Sequence, residues 1–352
     1  DPPYKHFEHY TSNPQDNNSL GERSVFAFQE DARGDLWIGT GGGGVDRFDR
    51  QAGRFTHYRN TPADDASLSS NTVRTLLLDS TQSLWVGTAN GLNRVDTASG
   101  LVTRYQSTPN TPGSLSYHSI AALAEDAHGA IWVATEGGGL NRLERASGKF
   151  QAYQHKSNDP NTLSDNVLST LYIDRDGMLW VGTLFSGLNR MDPRTAEVTR
   201  FYHNPTDANS LSDNYILSIY EDSSGILWVG TTGGLNRFDR AAGSFTRFRE
   251  KDGLPNDYIY AILEDQAGYL WLSTNKGISR FDPEAQTFKN FDYRDGLQSN
   301  EFNIGAALRT RGGELIFGGI NGLTAFFPAQ IMDNPLAPPV VLTALTRRGQ
   351  PI

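Results

Sequence analysis

Two carboxylates interrupt polar, glycine-rich stretches and are the residues of this sequence best suited to acid–base chemistry. Glu136 precedes three glycines, and Glu301 follows Asn300. Two carboxyl groups flanking a sugar linkage can serve as acid and base in glycoside hydrolysis or polysaccharide lysis. That chemistry requires the two groups to lie within about 10 Å of each other, which the sequence does not fix. A sugar-cleaving enzyme therefore stays open as an alternative.

A larger group of residues is suited to binding rather than to catalysis. Tyr and Phe rings can stack on sugar faces, and Arg, Lys, Asn and Glu side chains can bond hydroxyl or acid groups. The candidates replace small or polar residues found at equivalent places in the chain: Arg23, Arg74, Tyr117, His118, Glu136, Phe185, Tyr215, Tyr258, Lys276, Asn300 and Glu301. The alternative is that they are solvated loop residues that vary freely. Phe185 is the sharpest candidate, and its alternative is packing against a neighbouring loop or domain.

The other reactive residue types form no catalytic or metal-binding set. The chain has no cysteine, which excludes disulfides and thiolate chemistry. Asp174 to Gly177 is similar to the start of a calcium loop, but Thr183 stands where the closing Glu belongs, so a turn is predicted. The seven histidines show neither metal-ligand spacing nor a nucleophile motif; they are His6, His9, His57, His118, His128, His155 and His203. We expect no catalytic residue, no metal and no cofactor.

Composition limits the class of protein and of partner. The chain has 352 residues, of which 37% are hydrophobic and 36 are glycine, a mixture typical of many short strands joined by tight turns. The net charge of −9 argues against nucleic acid as a partner, because phosphate binding needs a basic face. No apolar run approaches the roughly 18 residues of a membrane helix, so we expect no membrane contact by this chain itself.

The elements that must position the candidates are repeats. All six tryptophans lie in one motif, at intervals of 43 to 48 residues, and Ile316 holds the equivalent place in a seventh copy. Each copy has an alternating strand, a turn, the Trp strand, a Gly-rich turn and two further strands. A residue in each first strand is always small, namely Ala27, Thr75, Ala122, Thr170, Ser218, Ala261 and Ala306. One leucine recurs in each connection and is expected to plug it onto the blades, namely Leu20, Leu68, Leu115, Leu163, Leu211, Leu254 and Leu297.

Seven copies of a four-stranded unit predict an all-β fold, a seven-bladed β-propeller. The seventh copy has only three strands, and Lys5 to Tyr10 matches a fourth, so the N-terminal strand is expected to close blade seven. The tryptophans are expected in the core. The recurring Asp at the third-strand ends is expected to cap turns, at Asp49, Asp96, Asp192, Asp239 and Asp282. The predicted domains are the propeller at 1–332 and, at 333–352, a linker with one strand of a following domain.

The repeat resembles the two-component-regulator propeller family. The motifs that carry the resemblance are Leu-Trp-Val-Gly-Thr, as at 227–231, and Gly-Leu-Asn-Arg-Phe-Asp, as at 234–239, recurring over roughly residues 4 to 328. The segment 338–345 is similar to the first strand of the Ig-like three-Y domain that follows such propellers. The resemblance implies a periplasmic sensor region of a membrane-spanning protein. The implied output is a histidine kinase, often hybrid, or a diguanylate cyclase.

Three functions remain in competition at this level. The leading hypothesis is an extracytoplasmic domain without catalysis, which senses an oligosaccharide or other small ligand or transmits a signal through domain contacts. The second is a propeller polysaccharide lyase or glycosidase using Glu136 and Glu301. The third is a rigid scaffold or dimerisation module. The expected partners are accordingly a small ligand, a neighbouring propeller or Ig-like domain of the same protein, or a second copy.

Overall fold

The structure is a computed structural model that describes residues 7–331 and the backbone of two short paired strands, Thr346–Arg347 and Gln350–Pro351. Within residues 7–331 the chain forms seven antiparallel sheets of four strands each. The first strand of each sheet adjoins the first strands of both neighbouring sheets, and β26 of the last sheet adjoins β2 of the first. The sheets therefore form a closed ring, and the predicted seven-bladed propeller is confirmed.

Strands are numbered along the chain, and blades in the order of their inner strands. Blade 1 comprises β2 (Val25–Glu30), β3 (Leu36–Thr40), β4 (Val45–Asp49) and β5 (Arg54–Tyr58). Blade 2 comprises β6 (Val73–Leu78), β7 (Ser83–Thr88), β8 (Gly91–Asp96) and β9 (Val102–Tyr105). Blade 3 comprises β10 (Ile120–Glu125), β11 (Ile131–Thr135), β12 (Leu140–Glu144) and β13 (Lys149–Tyr153). Blade 4 comprises β14 (Leu168–Ile173), β15 (Leu179–Thr183), β16 (Leu188–Met191) and β17 (Val198–Phe201).

The last three blades complete the ring. Blade 5 comprises β18 (Ile216–Glu221), β19 (Leu227–Thr231), β20 (Gly234–Asp239) and β21 (Ser244–Phe248). Blade 6 comprises β22 (Ala261–Glu264), β23 (Leu270–Thr274), β24 (Gly277–Asp282) and β25 (Thr287–Phe291). Blade 7 comprises β26 (Phe302–Arg309), β27 (Leu315–Gly319), β28 (Gly322–Phe326) and, outermost, β1 (Glu8–Tyr10). Short 3₁₀ turns occupy Glu250–Asp252, Tyr293–Asp295 and Pro328–Gln330.

The N-terminal strand closes blade 7, as the sequence predicts. Glu8, His9 and Tyr10 pair with Ala325, Thr324 and Leu323 of β28. The ring of Phe7 lies edge-on to those of Phe326 and Phe291, with centroids 5.1 and 6.0 Å away. Lys5 and His6 lie outside the described residues, as do 332–345. The proposed boundary at 332/333 and the Ig-like strand at 338–345 therefore stay predictions.

The tryptophans form the packing layer of the blades. All six are at most 1% exposed, and Ile316 is equally buried in blade 7. Each indole N–H donates to the turn aspartate six residues earlier, at 2.7–3.2 Å, and the other oxygen of that aspartate accepts backbone N–H groups of the turn. One Trp–Asp pair, at positions that recur in six blades, therefore provides both the buried ring and the acceptor for its N–H. In blade 7 both members change together, to Thr310 and Ile316.

The connectors between blades are held in place by buried leucines and by hydrogen bonds. All seven connector leucines are at most 4% exposed, which confirms their role as plugs. Beside the plug, Asn93 of blade 2 accepts the amide of Ser69 at 2.9 Å and donates to its hydroxyl at 2.9 Å. Equivalent Asn–Ser pairs recur in three further blades, at Asn141–Ser116, Asn189–Ser164 and Asn236–Ser212. These bonds attach four of the seven connectors to the third strand of the blade that follows.

Candidate functional site

The candidate site is the face of the ring built from the connectors between blades and the turns between second and third strands, here called the mouth face. In blades 1 to 5 and in blade 7 a backbone hydrogen bond joins the two loops. Glu136 N–H donates to the carbonyl of Ser119 at 3.0 Å, and Leu184 N–H donates to that of Val167 at 3.2 Å. This pairing brings candidates from distant parts of a repeat onto one surface. Small inner residues, such as Ala27 opposite Gly39, let the inner strands converge beneath it.

A β-bulge aims Arg74 away from the packed layers. The pairing of β6 with β7 shifts register between Val73 and Thr75, and Arg74 is the extra residue. Bulges redirect side chains in this way. Its side chain is 40% exposed, and its guanidinium lies 3.2 Å from Oε1 of Glu136 on blade 3. The hydroxyl of Ser119 donates to the other carboxylate oxygen of Glu136 at 2.7 Å. An oriented ion pair therefore joins two blades at the mouth.

Aromatic side chains from the next three blades lie in sequence beside this pair. Phe185 of blade 4 is 67% exposed, and its ring centroid lies 5.8 Å from that of Tyr215, which leads into blade 5. Tyr258, leading into blade 6, is 41% exposed and lies 6.2 Å from Tyr260. The hydroxyl of Tyr260 donates to Oδ1 of Asn275 at 2.9 Å. Phe185, Tyr215, Tyr258 and Tyr260 are called the aromatic arc below.

Electrostatics link the arc to the two glutamates. Burial raises the pKa of Tyr215, and the charge of Glu136 and the neighbouring Tyr258 raise it further. Burial also raises the pKa of Tyr260; the bond to Asn275 opposes that shift, and Tyr258, Glu301 and Tyr215 add to it. These influences place the groups in one neighbourhood, since Coulomb interactions fade with distance. Both phenols therefore keep their protons at neutral pH. The Tyr215 hydroxyl can donate to a ligand, whereas the Tyr260 hydroxyl, which donates to Asn275, can accept from one.

Other predicted site residues have local structural partners. The ring of Tyr117 is tilted by 32° against that of His118, with centroids 4.2 Å apart. It also covers Gly137, where an added Cβ would lie 3.1 Å from Cζ of the tyrosine. Lys276 lies 3.8 Å from Glu250. These contacts account for Tyr117 and Lys276 as parts of the loop framework. His118 is exposed at its edge.

The remaining candidates lie on the blade 7 side of the mouth face. Asn300 Oδ1 accepts the amide of Tyr293 at 2.9 Å, so its side chain supports a 3₁₀ turn. Glu301 is exposed, as is Arg23, whose backbone carbonyl accepts the amide of Gly322. The structure thus places all eleven candidates on the mouth face. It brings Arg74, Glu136, Phe185, Tyr215 and Tyr258 into a connected group.

Tyr260 is the residue that sequence reasoning missed. It occupies the position immediately before the small inner residue Ala261, which is the position of Arg74 relative to Thr75. The other blades carry Phe26, Ala121, Ser169, Leu217 and Gly305 there. The column that singled out Arg74 by its charge could have singled out Tyr260 by its polar ring. It was overlooked because an aromatic residue fits an apolar column.

The opposite face has grooves that are lined by charged and polar side chains, among them Asp126, Arg142 and Arg175 in one groove and Asp222, Arg237 and Glu264 in another. Arginines close three seams between blades on that face, through Arg50–Glu314 at 2.7 Å, Arg145–Asp79 at 2.9 Å and Arg240–Asp174 at 2.9 Å. Blades 2, 4 and 6 have Thr97, Pro193 and Pro283 at the arginine position. Two of the seams that lack such an arginine are open grooves. The groove between blades 3 and 4 measures about 870 Å³ and that between blades 5 and 6 about 610 Å³. Each groove therefore lies where a blade lacks the arginine that bonds to the preceding blade.

The aspartates of the repeat serve the backbone. Asp239, for example, accepts the amides of Ala241 and Ala242 at 2.9 and 3.0 Å, as the predicted turn cap requires. Asp174 accepts the amide of Met178 and the indole of Trp180, so the calcium-like segment is a turn. No group of three or more potential metal ligands occurs in the described part of the chain. Among the same residues, no helix has the length and apolar character to span a membrane.

Comparison with known proteins supports the repeat assignment. Five segments match the two component regulator propeller family, at residues 19–42, 67–90, 162–185, 210–233 and 253–276. Each runs from the connector leucine through the Trp strand to the mouth turn. A search of curated proteins gave no match.

Solved structures give the same fold. The extracellular domain of a hybrid two-component system from B. thetaiotaomicron is 29% identical with a TM-score of 0.80, and the match covers 99% of this chain and 46% of that chain. A second such domain from this organism is 22% identical with a TM-score of 0.52, covering 93% and 45%. The chain thus spans about half the length of these relatives. Virginiamycin B lyase from Staphylococcus aureus, 18% identical with a TM-score of 0.65 over 91% and 98%, shares the fold alone.

Proposed function

Because the chain belongs to the two component regulator propeller family, we propose that it is a sensing domain of a signal-transduction protein and that its mouth face binds the ligand. The proposal rests on where the residues that break the repeat are located. The residues that break the repeat in blades 2 to 6 converge into the Arg74–Glu136 pair and the aromatic arc. Convergent polar groups beside exposed aromatic rings are the usual composition of a ligand site.

We place the domain outside the cytoplasm, in the periplasm of a bacterium. The relative at 29% identity is an extracellular domain of a hybrid two-component system. The match covers 99% of this chain and 46% of that domain. The output of the whole protein would be a histidine kinase or a diguanylate cyclase in another part of the polypeptide. A ligand at the mouth would act on that output through the segments attached to the ring.

The proposed ligand is an oligosaccharide. Phe185 and Tyr258 offer exposed ring faces. The Tyr215 hydroxyl can donate to a sugar hydroxyl, and the Tyr260 hydroxyl, whose proton bonds Asn275, can accept from one. Arg74 supplies a fixed cation for a hydroxyl or an acid group. The carboxylate of Glu136 is engaged on both oxygens, by Arg74 and by Ser119, which favours a binding role for it over proton transfer.

Calorimetric titration of the chain with a panel of neutral and acidic oligosaccharides tests the proposal. At least one should bind, and Tyr258→Ala should weaken that binding by about tenfold or more, which is about 1.4 kcal/mol. Phe327→Ala is the matched control, because Phe327 is an aromatic of similar exposure, 39%, and lies on the opposite face. A panel without any binder, or binding that Phe327→Ala removes and Tyr258→Ala leaves intact, would overturn it. Release of cleaved sugar would instead favour the lyase or glycosidase.

A further inference from the structure

Side chains of the outer strands bond to the connectors, and in blades 2, 4 and 5 these bonds include an arginine, which carries a permanent charge. In blade 2, Asn93 on the third strand faces Arg104 on the fourth. Asn93 accepts the amide of Ser69, and Arg104 Nε donates to the carbonyl of Ser67 at 2.8 Å. The same Asn–Arg pair fastens two other connectors, through Asn189 with Arg200 and Asn236 with Arg247. Arginine stays protonated at all physiological pH values, so these fastenings do not respond to pH.

Blade 1 replaces both members of the pair. Asp46 faces His57 at the register position of Asn93 and Arg104. Asp46 Oδ2 accepts the amide of Gly21 at 2.7 Å, and its Oδ1 lies 2.6 Å from Nδ1 of His57. Nε2 of the same imidazole lies 2.9 Å from the carbonyl oxygen of Asn17. The Asp46 side chain is 0% exposed and that of His57 is 18% exposed.

The two bonds of His57 have a proton requirement. The carbonyl of Asn17 can only accept, so its bond needs a proton on Nε2. The bond to Asp46 needs a second proton between Oδ1 and Nδ1. A neutral imidazole beside an ionised carboxylate has only one proton for the two places, and either bond then becomes a contact between two lone pairs. Both bonds therefore form only while the Asp46–His57 pair holds two protons.

The surroundings of the pair favour retention of the second proton. Burial raises the pKa of Asp46, although His57, the Gly21 amide and Arg59 act in the opposite direction. Arg59 also lies against the connector, since a Cβ added at Gly21 would be 3.4 Å from its Nη2. Asp64, on the connector to blade 2, lines the same solvent cleft as His57 and Arg59. The charged groups facing His57 are thus Asp46, Arg59 and, across the cleft, Asp64.

We propose that the group Asp46–His57–Asn17 is a pH-sensitive latch for the connector between the closing strand β1 and blade 1. At mildly acidic pH the pair holds both protons and the connector is fastened at Asn17 and Gly21. As pH rises through the range in which histidine loses its charge, one bond is lost and the connector loosens. The connector continues to Arg23 on the mouth face, so pH would act on the blade 1 edge of the mouth and on the strand that closes the ring. The Asn–Arg pairs of blades 2, 4 and 5 provide an internal reference, because their bonds to the connectors do not change with pH.

Amide hydrogen exchange, followed by NMR on the full chain, tests the latch. The Gly21 amide donates to Asp46, and the Ser69 amide is its counterpart on Asn93. Loss of a His57 bond lets the connector open and exposes the Gly21 amide, although its acceptor on Asp46 remains. After correction for intrinsic exchange, the Gly21 protection factor should therefore fall about tenfold relative to that of Ser69 between pH 6 and pH 8.5, the size of one lost hydrogen bond between the connector and blade 1. A ratio that stays constant with pH would overturn the proposal.

The variant Asp46→Asn/His57→Arg installs the pair found in blades 2, 4 and 5. Its Gly21 to Ser69 ratio should be independent of pH, and a pH dependence that persists in this variant would contradict the latch. Imidazole nitrogen NMR of the wild type provides a second readout that needs no variant. Nε2 should carry a proton at pH 6, with the Nδ1 proton shared with Asp46. An Nε2 that is unprotonated at pH 6 would equally refute the latch.

Discussion

The Trp layer and the mouth face are built from the same repeats and differ in how strictly the repeats agree. In six blades the Trp layer uses one Trp and one turn Asp, joined by one hydrogen bond of 2.7–3.2 Å. On the mouth face the equivalent turns hold Glu136, Phe185 and Lys276 in three blades. The other four blades have Gly41–Gly42, Ala89–Asn90, Thr232–Gly233 and Ile320–Asn321 there. Agreement among the repeats marks what the fold needs, and the residues that differ on the mouth face are those to which we assign the proposed binding.

In blade 7 both members of the Trp–Asp pair are replaced together. Where Ile316 replaces the tryptophan, Thr310 replaces the aspartate, so no buried carboxylate is left without its indole donor. Thr310 still caps its turn by accepting the amide of Glu314 at 3.0 Å. A residue of the layer is thus constrained by its partner, whereas rim residues vary independently.

The largest expected effect is the loss of a layer residue. Trp228→Ala should lower the free energy of unfolding by about 3–5 kcal/mol, because it opens a cavity between blades and leaves Asp222 without its indole donor. Urea unfolding followed by circular dichroism measures the change. A loss below about 1 kcal/mol would mean that the blades do not depend on the layer.

The turn aspartate should matter less than the ring, and more in blade 5 than its counterpart in blade 7. Asp222→Ala removes the acceptor for Ser224, Ile226 and Trp228 and should cost about 1–3 kcal/mol. Thr310→Ala is the matched control and should cost less, because Ile316 has no N–H to leave unpaired. Equal costs in the two blades would show that the indole bond contributes nothing.

Acid should weaken the layer. Burial alone would raise the pKa of Asp174, but bonds from Trp180, Arg240 and Met178 outweigh it and lower the pKa; Asp79 and Asp126 are lowered in the same way. The stabilisation by these groups is present above the ordinary carboxyl pKa of about 3.9 and is lost as pH falls through their lower folded values. The urea midpoint should therefore decline below about pH 4. A midpoint that is unchanged from pH 5 to pH 2.5 would contradict this account.

The smallest effect on stability is expected at the rim. Phe185→Ala and Tyr258→Ala should each change the free energy of unfolding by less than about 0.5 kcal/mol, because both rings are exposed. Thermal unfolding of these variants beside Trp228→Ala gives the contrast directly. If a rim variant destabilises the chain as strongly as a layer variant, its ring is part of the packing and the distinction between the two regions fails.

Periodicity in the sequence was sufficient to predict the ring. Six tryptophans, seven connector leucines and seven small inner residues predict the number of blades and the packing of each. The match of the N-terminal segment to a fourth strand predicts how the ring closes. The turn caps at Asp239 and its equivalents were predictable because an Asp side chain bonds the amides that follow it within the same turn.

The site could be predicted only as a surface. Sequence placed Arg74 and Glu136 in different repeats, and their pairing depends on a bulge in β6 and on the angle between two blades. The role of Tyr117 was equally hidden, because it is set by the absence of a side chain at Gly137 across the loop. Such contacts arise between repeats, and repeat periodicity does not encode them.

Hydrogen exchange of the chain with and without a binding oligosaccharide tests the central claim most directly. The account predicts that added ligand slows exchange in the mouth segments 117–119, 184–187, 213–216 and 256–260, with the turns of the opposite face unchanged. Slower exchange confined to the opposite face, for instance at 265–269 and 327–330, would contradict it.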